Sequence, residues 1–141
     1  MKLQDLDDYN SLTGLIIGEA RGEPLLGKLA VACVVRNRLE DPRWPSTWKG
    51  VIFQKMQFSC MNSLPRNGEI QLNFYLLYFK PDRREMYWRE CKLAAYGAIH
   101  DYYADITNGA NHYYANYIDP PYWAGGQTPV LEVGKHIFFK L

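Results

Sequence analysis

The chain has 141 residues, of which 48% are hydrophobic and 22% charged, an ordinary globular mixture that excludes disordered and collagen-like proteins. Lys and Arg number 16 and Asp and Glu number 15, so the formal net charge of +1 argues against a nucleic-acid binder that works through phosphate neutralisation. The longest unbroken apolar run, Leu29–Val35, is far shorter than the ~20 residues of a membrane-spanning helix, so we expect no membrane insertion. The length suits one domain, residues 1–141.

The first predicted helix carries an acidic residue on its apolar face. Asp8 can cap it, the apolar face continued from Leu12 and Ile16 reaches Glu19, and Pro24 ends the helix. Desolvation disfavours a charged carboxylate, so this group should keep its proton near neutrality. General-acid cleavage of a glycosidic bond needs such a protonated carboxyl group. A buried ion pair with a nearby arginine fits the same pattern equally well.

Two further helices are predicted before a stretch without clear periodicity. The segment Leu25–Leu39 is apolar all round in its middle, which is typical of the central helix of a small helical core. The dipeptide Asp41-Pro42 stops it. A short amphipathic helix over Thr47–Phe53, capped by Ser46, follows.

The region after this short helix is loop-rich, and a long helix comes after it. Residues 54–73 have no period and contain turn residues, with a short strand expected near Phe58. Residues 72–79 fit a helix or a strand equally well. The next helix is predicted to begin at Asp82 and to end near Asn108. Its core-facing stripe contains Trp88, Cys91, Ala95, Ala98, Ile99 and Tyr102.

The C-terminal part changes from helical to strand patterning. Residues 130–133 and 136–139 read as two strands joined by Gly134-Lys135, and a glycine in the first turn position is what a type II′ turn requires. A tyrosine-rich segment, residues 112–123, precedes this hairpin. Aromatic rings with a polar group at one end are suited to binding the apolar and hydroxylated surfaces of a sugar. Packing of the hairpin onto the helices, however, explains the presence of any one of these aromatic residues taken alone. The pattern predicts an α+β fold, mainly helical, with a small C-terminal sheet.

The sequence offers little support for metal, cofactor or nucleophile chemistry. The spacing of the three histidines matches no compact zinc pattern, and there is no C-x-x-C, no G-x-S-x-G and no phosphate-binding glycine loop. Cys33 and Cys91 lie in apolar helical patterns, where a free cysteine behaves as a small hydrophobe. We therefore expect no metal and no cofactor, which disfavours a wall amidase or peptidase.

Several short motifs, in order, resemble the cell-wall hydrolases of the spore cortex-lytic enzyme family. The resemblance runs from about residue 12 to residue 139 and lacks a counterpart only over residues 60–85. Its motifs are Gly18-Glu19-Ala20-Arg21-Gly22-Glu23-Pro24, Gly50-Val51-Ile52-Phe53, Gln57-Phe58-Ser59, His112-Tyr113-Tyr114, Pro121 with Trp123, and Val133-Gly134-Lys135-His136-Ile137-Phe138. All of them together, in this order, are a specific signal.

The resemblance implies a lysozyme-like catalytic domain that cuts peptidoglycan between N-acetylmuramic acid and N-acetylglucosamine. It implies that Glu19, the first Glu of Gly-Glu-Ala-Arg-Gly-Glu, is the catalytic acid of a lytic transglycosylase, whose product carries a 1,6-anhydro end. By the same analogy, the residues that bind the substrate are Gln57, Phe58, Ser59, His112, Tyr113, Tyr114 and Trp123. His136 is interpreted as structural.

Two alternatives remain open beside the transglycosylase. A hydrolytic muramidase would need a second carboxylate ~5–9.5 Å from Glu19, and Asp119 is the first candidate, ahead of Glu23 and Glu69. A non-catalytic glycan-binding module would keep the fold and the aromatic residues but has no reason to keep Glu19.

The start of the chain bears on where the protein is made. Residues 1–10 lack the apolar stretch of a secretory signal, which predicts synthesis in a host cytoplasm. With the resemblance, this suits a monomeric phage endolysin that a holin releases to act on the cell wall, although a virion-borne enzyme or a domain of a longer protein also fits.

Overall fold

The computed structural model describes residues 6–54 and 85–141 of the chain, and in this part helices come first and a small sheet last. The α+β, mainly helical class is therefore confirmed. In chain order the elements are α1 (Asp8–Ala20), α2 (Leu25–Leu39), α3 (Trp48–Ile52), α4 (Met86–Ile99), β1 (His112–Ala115), a 3₁₀ helix (Tyr122–Ala124), β2 (Leu131–Val133) and β3 (His136–Phe139).

Helix α1 begins one residue earlier than predicted and ends before Glu23, the second glutamate of the Gly18–Pro24 motif. Its N-cap is Asp7 and not Asp8, because the Asp7 carboxylate accepts the N–H of Asn10 at 2.7 Å. Asp8 lies in the first turn, where its negative charge interacts favourably with the positive end of the helix dipole. The helix ends at Ala20, so Glu23 lies beyond it, in the connection to α2.

Helices α2 and α3 match their predicted positions closely. Helix α2 has the predicted bounds, and its middle residues are fully buried against α1 and α4. Helix α3 is capped by Thr47 and not by Ser46, since the Thr47 hydroxyl accepts the N–H of Gly50 at 3.0 Å.

Helix α4 is shorter than the sequence predicted. It begins at Met86, with Glu85 as its N-cap, while the predicted start at Asp82 lies outside the described residues. It ends at Ile99 and not near Asn108, because Asp101 has a φ of 58° and turns the chain back, so that the N–H of Tyr102 donates to the Gly97 carbonyl at 2.8 Å. This is a Schellman-type end with an aspartate in the left-handed position where glycine is usual. Tyr102 lies outside the helix and is exposed, so it does not belong to the buried stripe.

The sheet has three antiparallel strands in the order β1-β3-β2, with β3 in the centre. The predicted hairpin is confirmed: Gly134 has a φ of 57° at the first turn position, and Lys135 does not have a positive φ. Strand β1 was not predicted, since the tyrosine-rich segment carries no strand signal of its own. It pairs with β3 so that Tyr113 lies opposite Phe138 and Ala115 opposite His136.

The two faces of the sheet have different surroundings. The inner face carries Tyr113, His136 and Phe138, and it packs against the core formed by α1, α2 and α4. The outer face carries His112, Tyr114 and Phe139.

Cys33 and Cys91 are free and buried, as predicted, and burial raises their thiol pKa to about 11 and about 12.

Some sequence predictions fall on residues that the structure does not describe. These are the strand near Phe58, the segment 72–79 and the motif Gln57-Phe58-Ser59. Within residues 6–54 and 85–141, no helix is long and apolar enough to cross a membrane.

Candidate active site

A cleft of about 250 Å³ opens between the end of α1 and the turn that joins β2 to β3. Two carboxylates, two cationic side chains, one tyrosine and one histidine contribute to its walls. The lining residues are Gly18, Glu19, Ala20, Arg21, Gly22, Glu23, Tyr117, Lys135 and His136. The cleft thus combines most of the Gly18–Pro24 motif with Lys135 and His136 of the Val133–Phe138 motif, two segments more than 90 residues apart in sequence.

Glu19 lies in the last turn of α1 and is half-buried at this cleft. The preceding turns of the helix place Leu12, Leu15 and Ile16 in the fully buried core. Residues 11–17 of α1 are all buried, which fixes the helix, and its last turn presents the Glu19 carboxyl group to an accessible space. This is the placement that an acid acting on a substrate requires.

Glu23 has a structural contact with the hairpin turn. Its side chain is only 8% exposed, and its Oε1 accepts the backbone N–H of Lys135 at 2.7 Å. The same oxygen lies 3.3 Å from His136 Nδ1, which makes no hydrogen bond to any described residue. The short bond from the Lys135 N–H therefore fixes the turn against Glu23.

Gly134 allows this close approach of the turn to Glu23. A Cβ atom at residue 134 would lie 2.7 Å from Glu23 Oε2, closer than real Cβ atoms come to other atoms. Its positive φ adds a second reason for glycine at this position. The β2–β3 turn and the end of α1 are therefore fitted to one another.

His136 is a buried ring on the wall of the cleft. Burial lowers its pKa below the ordinary value, although the charges of Glu23 and Glu19 act in the opposite direction. The ring also packs against Tyr113, with centroids 5.1 Å apart. The sequence interpretation of His136 as a structural residue of the hairpin is compatible with this packing, and the structure adds that the ring borders the cleft.

The polar end of α2 anchors the loop that leads into β1. Asn37 Nδ2 donates to the Ala110 carbonyl at 2.9 Å and to Asp105 Oδ2 at 3.0 Å, and Arg38 Nε donates to the Asn111 carbonyl at 2.8 Å. Burial raises the pKa of Asp105, but hydrogen bonds from Thr107, the Gly109 N–H and Asn37 outweigh it and keep that pKa below its usual value. The Asn37-Arg38 pair thus positions β1, and through β1 the whole sheet.

The structure separates the sequence-predicted binding residues into two groups. Tyr113 lies on the inner face of the sheet beside His136. His112, Tyr114 and Trp123 lie together on the outer face, with ring centroids 4.9 Å apart for His112 and Trp123 and 5.8 Å apart for Tyr114 and Trp123. None of these four residues lines the cleft at Glu19, and neither does Asp119, which is exposed in the loop after β1.

The environment of His112 keeps its ring neutral at physiological pH. Burial, together with the charges of Arg38 and Arg43, lowers its pKa to about 4. Its Nδ1 lies 2.8 Å from Asn111 Oδ1, so the ring donates a hydrogen bond there in its neutral form.

The low pKa of His112 predicts that the folded protein loses stability in mild acid. The unfolded chain takes up a proton at His112 near the ordinary histidine pKa of 6.5, whereas the folded chain does so only near pH 4. The contribution of His112 to the free energy of unfolding is therefore complete above pH 6.5 and is lost as the pH falls from 6.5 to about 4. His136, whose pKa is also lowered, acts in the same direction. We expect the urea midpoint to fall over this range and to fall less in His112→Asn, whose amide can replace Nδ1. An equal fall in both proteins would contradict this assignment.

Three lining residues were not identified from the sequence: Arg21, Tyr117 and Lys135. Lys135 was interpreted only as a turn residue and Tyr117 as one of several tyrosines. The bond between Glu23 and Lys135 joins residues 112 positions apart and leaves no local signal, and it brings the turn with Lys135 to the end of α1, where Arg21 lies.

Comparison with known proteins identifies relatives over nearly the whole chain. The family described as Cell Wall Hydrolase matches residues 22–139. The spore cortex-lytic enzyme of Halalkalibacterium halodurans is 30% identical over 94% of this chain, and that of Bacillus cereus is 31% identical over 95%. The matched part is 34% and 44% of those two proteins, so this chain spans less than half of their length.

Solved structures support the same relationship. The catalytic domain of the Bacillus cereus SleB protein superposes with a TM-score of 0.71 at 31% identity, covering 94% of this chain and 89% of that one. The catalytic domain of the germination-specific lytic transglycosylase SleB from Bacillus anthracis gives a TM-score of 0.70 at 31% identity, covering 94% and 93%. The lysozyme-like fold expected from the motifs is thereby confirmed.

Proposed function

Because the chain belongs to the cell wall hydrolase family, we propose that it cleaves the glycan strands of bacterial peptidoglycan, with Glu19 as the catalytic acid and base. The observation that carries this proposal is the position of Glu19, half-buried at the end of α1 and facing a cleft large enough to admit part of a saccharide. The family and the fold of the SleB catalytic domains support the same reaction.

The proposed chemistry uses one carboxyl group in two steps. Glu19 first donates its proton to the glycosidic oxygen between N-acetylmuramic acid and N-acetylglucosamine, and the bond from that oxygen to C1 of the muramyl residue breaks. The Glu19 carboxylate then takes the proton of the muramyl 6-hydroxyl group, whose oxygen bonds to C1. The product end is a 1,6-anhydro sugar, and Glu19 is protonated again. Neither water nor a metal takes part in this proposed reaction.

A hydrolytic muramidase is the second candidate, because a second carboxylate, Glu23, lines the same cleft. Its Oε1, however, holds the N–H of Lys135, which ties the carboxylate to the turn and leaves it poorly placed to activate water. Asp119, the first sequence candidate, is exposed and does not line the cleft. These positions favour the transglycosylase, in which no second carboxylate acts.

The biological setting is proposed from the sequence and the family. In this proposal the protein is a phage endolysin, made in the host cytoplasm, released by a holin and active as a monomer on the cell wall. A non-catalytic glycan-binding module is the competing interpretation, and it gives no role to Glu19.

The proposal is tested by digesting purified peptidoglycan with the wild-type protein and identifying the chemical ends that appear. New saccharide ends at muramic acid, without new free amino groups, are the expected result. New amino groups would indicate an amidase or peptidase. Binding to the wall material without any new ends would favour the glycan-binding module.

A further inference from the structure

Two cationic side chains at the cleft have no partner among the residues that the structure describes. Arg21 lies just after α1, and Lys135 lies in the β2–β3 turn. Both residues are exposed, and within residues 6–54 and 85–141 neither side chain makes an ion pair or a hydrogen bond. Both line the space onto which Glu19 faces. A cation in this position is available to a bound anionic group.

The backbone of Lys135 is held on both sides, so its side chain leaves from a fixed point. Its N–H donates to Glu23 Oε1 at 2.7 Å, and its carbonyl accepts the N–H of Asn116 at 2.8 Å. The second bond also places the loop after β1 against the turn. Tyr117, the next residue of that loop, is 75% exposed and lines the cleft beside Lys135. An exposed aromatic ring and a cationic side chain with a fixed backbone therefore line the same cleft.

This pairing fits a sugar that carries a negatively charged substituent. In peptidoglycan the muramyl residue carries the stem peptide, whose carboxylates are the anionic groups nearest to the scissile glycosidic bond. The face of a tyrosine ring suits the apolar face of a sugar, and cationic side chains form charge-assisted hydrogen bonds with carboxylates.

We propose that Arg21 and Lys135 bind carboxylates of the stem peptide while Tyr117 contacts the muramyl sugar that bears it, so that the enzyme prefers peptide-bearing strands over strands stripped of peptide. This inference rests on the proposed function, since it names the form of peptidoglycan that the same cleft takes. The preference is electrostatic and therefore decreases as the salt concentration rises.

The test compares two substrates made from one preparation of peptidoglycan freed of teichoic acid. One half keeps its stem peptides, and the other half is stripped of them with an amidase. We expect the wild type to cleave the peptide-bearing strands about tenfold faster, because two exposed ion pairs each contribute roughly threefold. Arg21→Gln and Lys135→Gln should each lower the ratio of the two rates about threefold, and the double variant should bring it close to one.

Two further variants separate charge recognition from general damage. Tyr117→Ala should lower both rates and leave their ratio at the wild-type value, while Lys140→Gln, which removes an exposed cation outside the cleft, should change neither. The inference would be overturned if Arg21→Gln and Lys135→Gln both kept the wild-type ratio of the two cleavage rates. It would also be overturned if the wild type cleaved both substrates equally fast. In either case the proposed function would stand. Cleavage of neither substrate would overturn both.

Discussion

Glu19→Gln should lose more than about a thousandfold in the rate of peptidoglycan cleavage while keeping the fold. The glutamine has nearly the same shape, but its amide cannot deliver a proton to the glycosidic oxygen or take one from the 6-hydroxyl group. General acid–base catalysis contributes roughly 10²–10⁴-fold, and one residue serves both steps in the proposed mechanism. The rate of release of soluble muropeptides measures this loss, and circular dichroism checks the fold.

The matched control is Glu40→Gln, which removes an exposed carboxylate at the end of α2 and away from the cleft. It should cleave at the wild-type rate. If Glu19→Gln kept more than about a tenth of the wild-type rate, Glu19 would not be the catalytic acid. A large loss in Asp119→Asn would instead point to the two-carboxylate, hydrolytic mechanism.

Phe138→Ala should reduce the free energy of unfolding by about 3–5 kcal/mol, the usual cost of replacing a buried phenylalanine by alanine. Phe138 is 0% exposed, lies in the central strand β3 and packs its ring against Tyr113, with centroids 5.4 Å apart. Since whole domains are stable by only ~5–15 kcal/mol, this is a large share of the total. Urea unfolding followed by tryptophan fluorescence measures it.

Tyr122→Ala provides the control for this substitution, because Tyr122 is fully exposed in the 3₁₀ helix. It should change the unfolding free energy by less than about 0.5 kcal/mol. A loss below about 1 kcal/mol in Phe138→Ala would contradict the packing of the hairpin onto the helical core. It would also undermine the position of Lys135 and His136, which the same hairpin carries to the cleft.

The elements predicted correctly are those with strong local signals. Helix α2 has proline at its start and Asp41-Pro42 beyond its end, and the β2–β3 hairpin has glycine where a positive φ is needed. The α4 end was misplaced because Asp101, a residue that seldom takes the left-handed conformation, forms it where a glycine was expected. Strand β1 was missed because its pairing with β3 is its main support, and that pairing is not local.

The candidate site likewise contains residues that a local sequence pattern identifies and residues that only distant contacts bring into place. Glu19 was identified from helical periodicity, because the apolar spacing of Leu12 and Ile16, both of them buried, continues to this residue. Lys135 and Tyr117 were not, because the contacts of the hairpin turn with Glu23 and with the loop after β1 bring their segments to the end of α1. Trp123 and Tyr114 lie on the outer face of the sheet, and their binding of substrate stays a prediction from the resemblance.

The central claim, that a single carboxyl group cleaves the glycan and forms a 1,6-anhydro end, is tested most directly by mass spectrometry of the muropeptides. Purified peptidoglycan is digested in parallel with the wild type and with Glu19→Gln. We expect fragments ending in 1,6-anhydro-muramic acid from the wild type, about 18 Da lighter than their hydrolysed counterparts because no water is added, and none from the variant. Reducing muramic acid ends from the wild type would contradict the claim and establish a hydrolase.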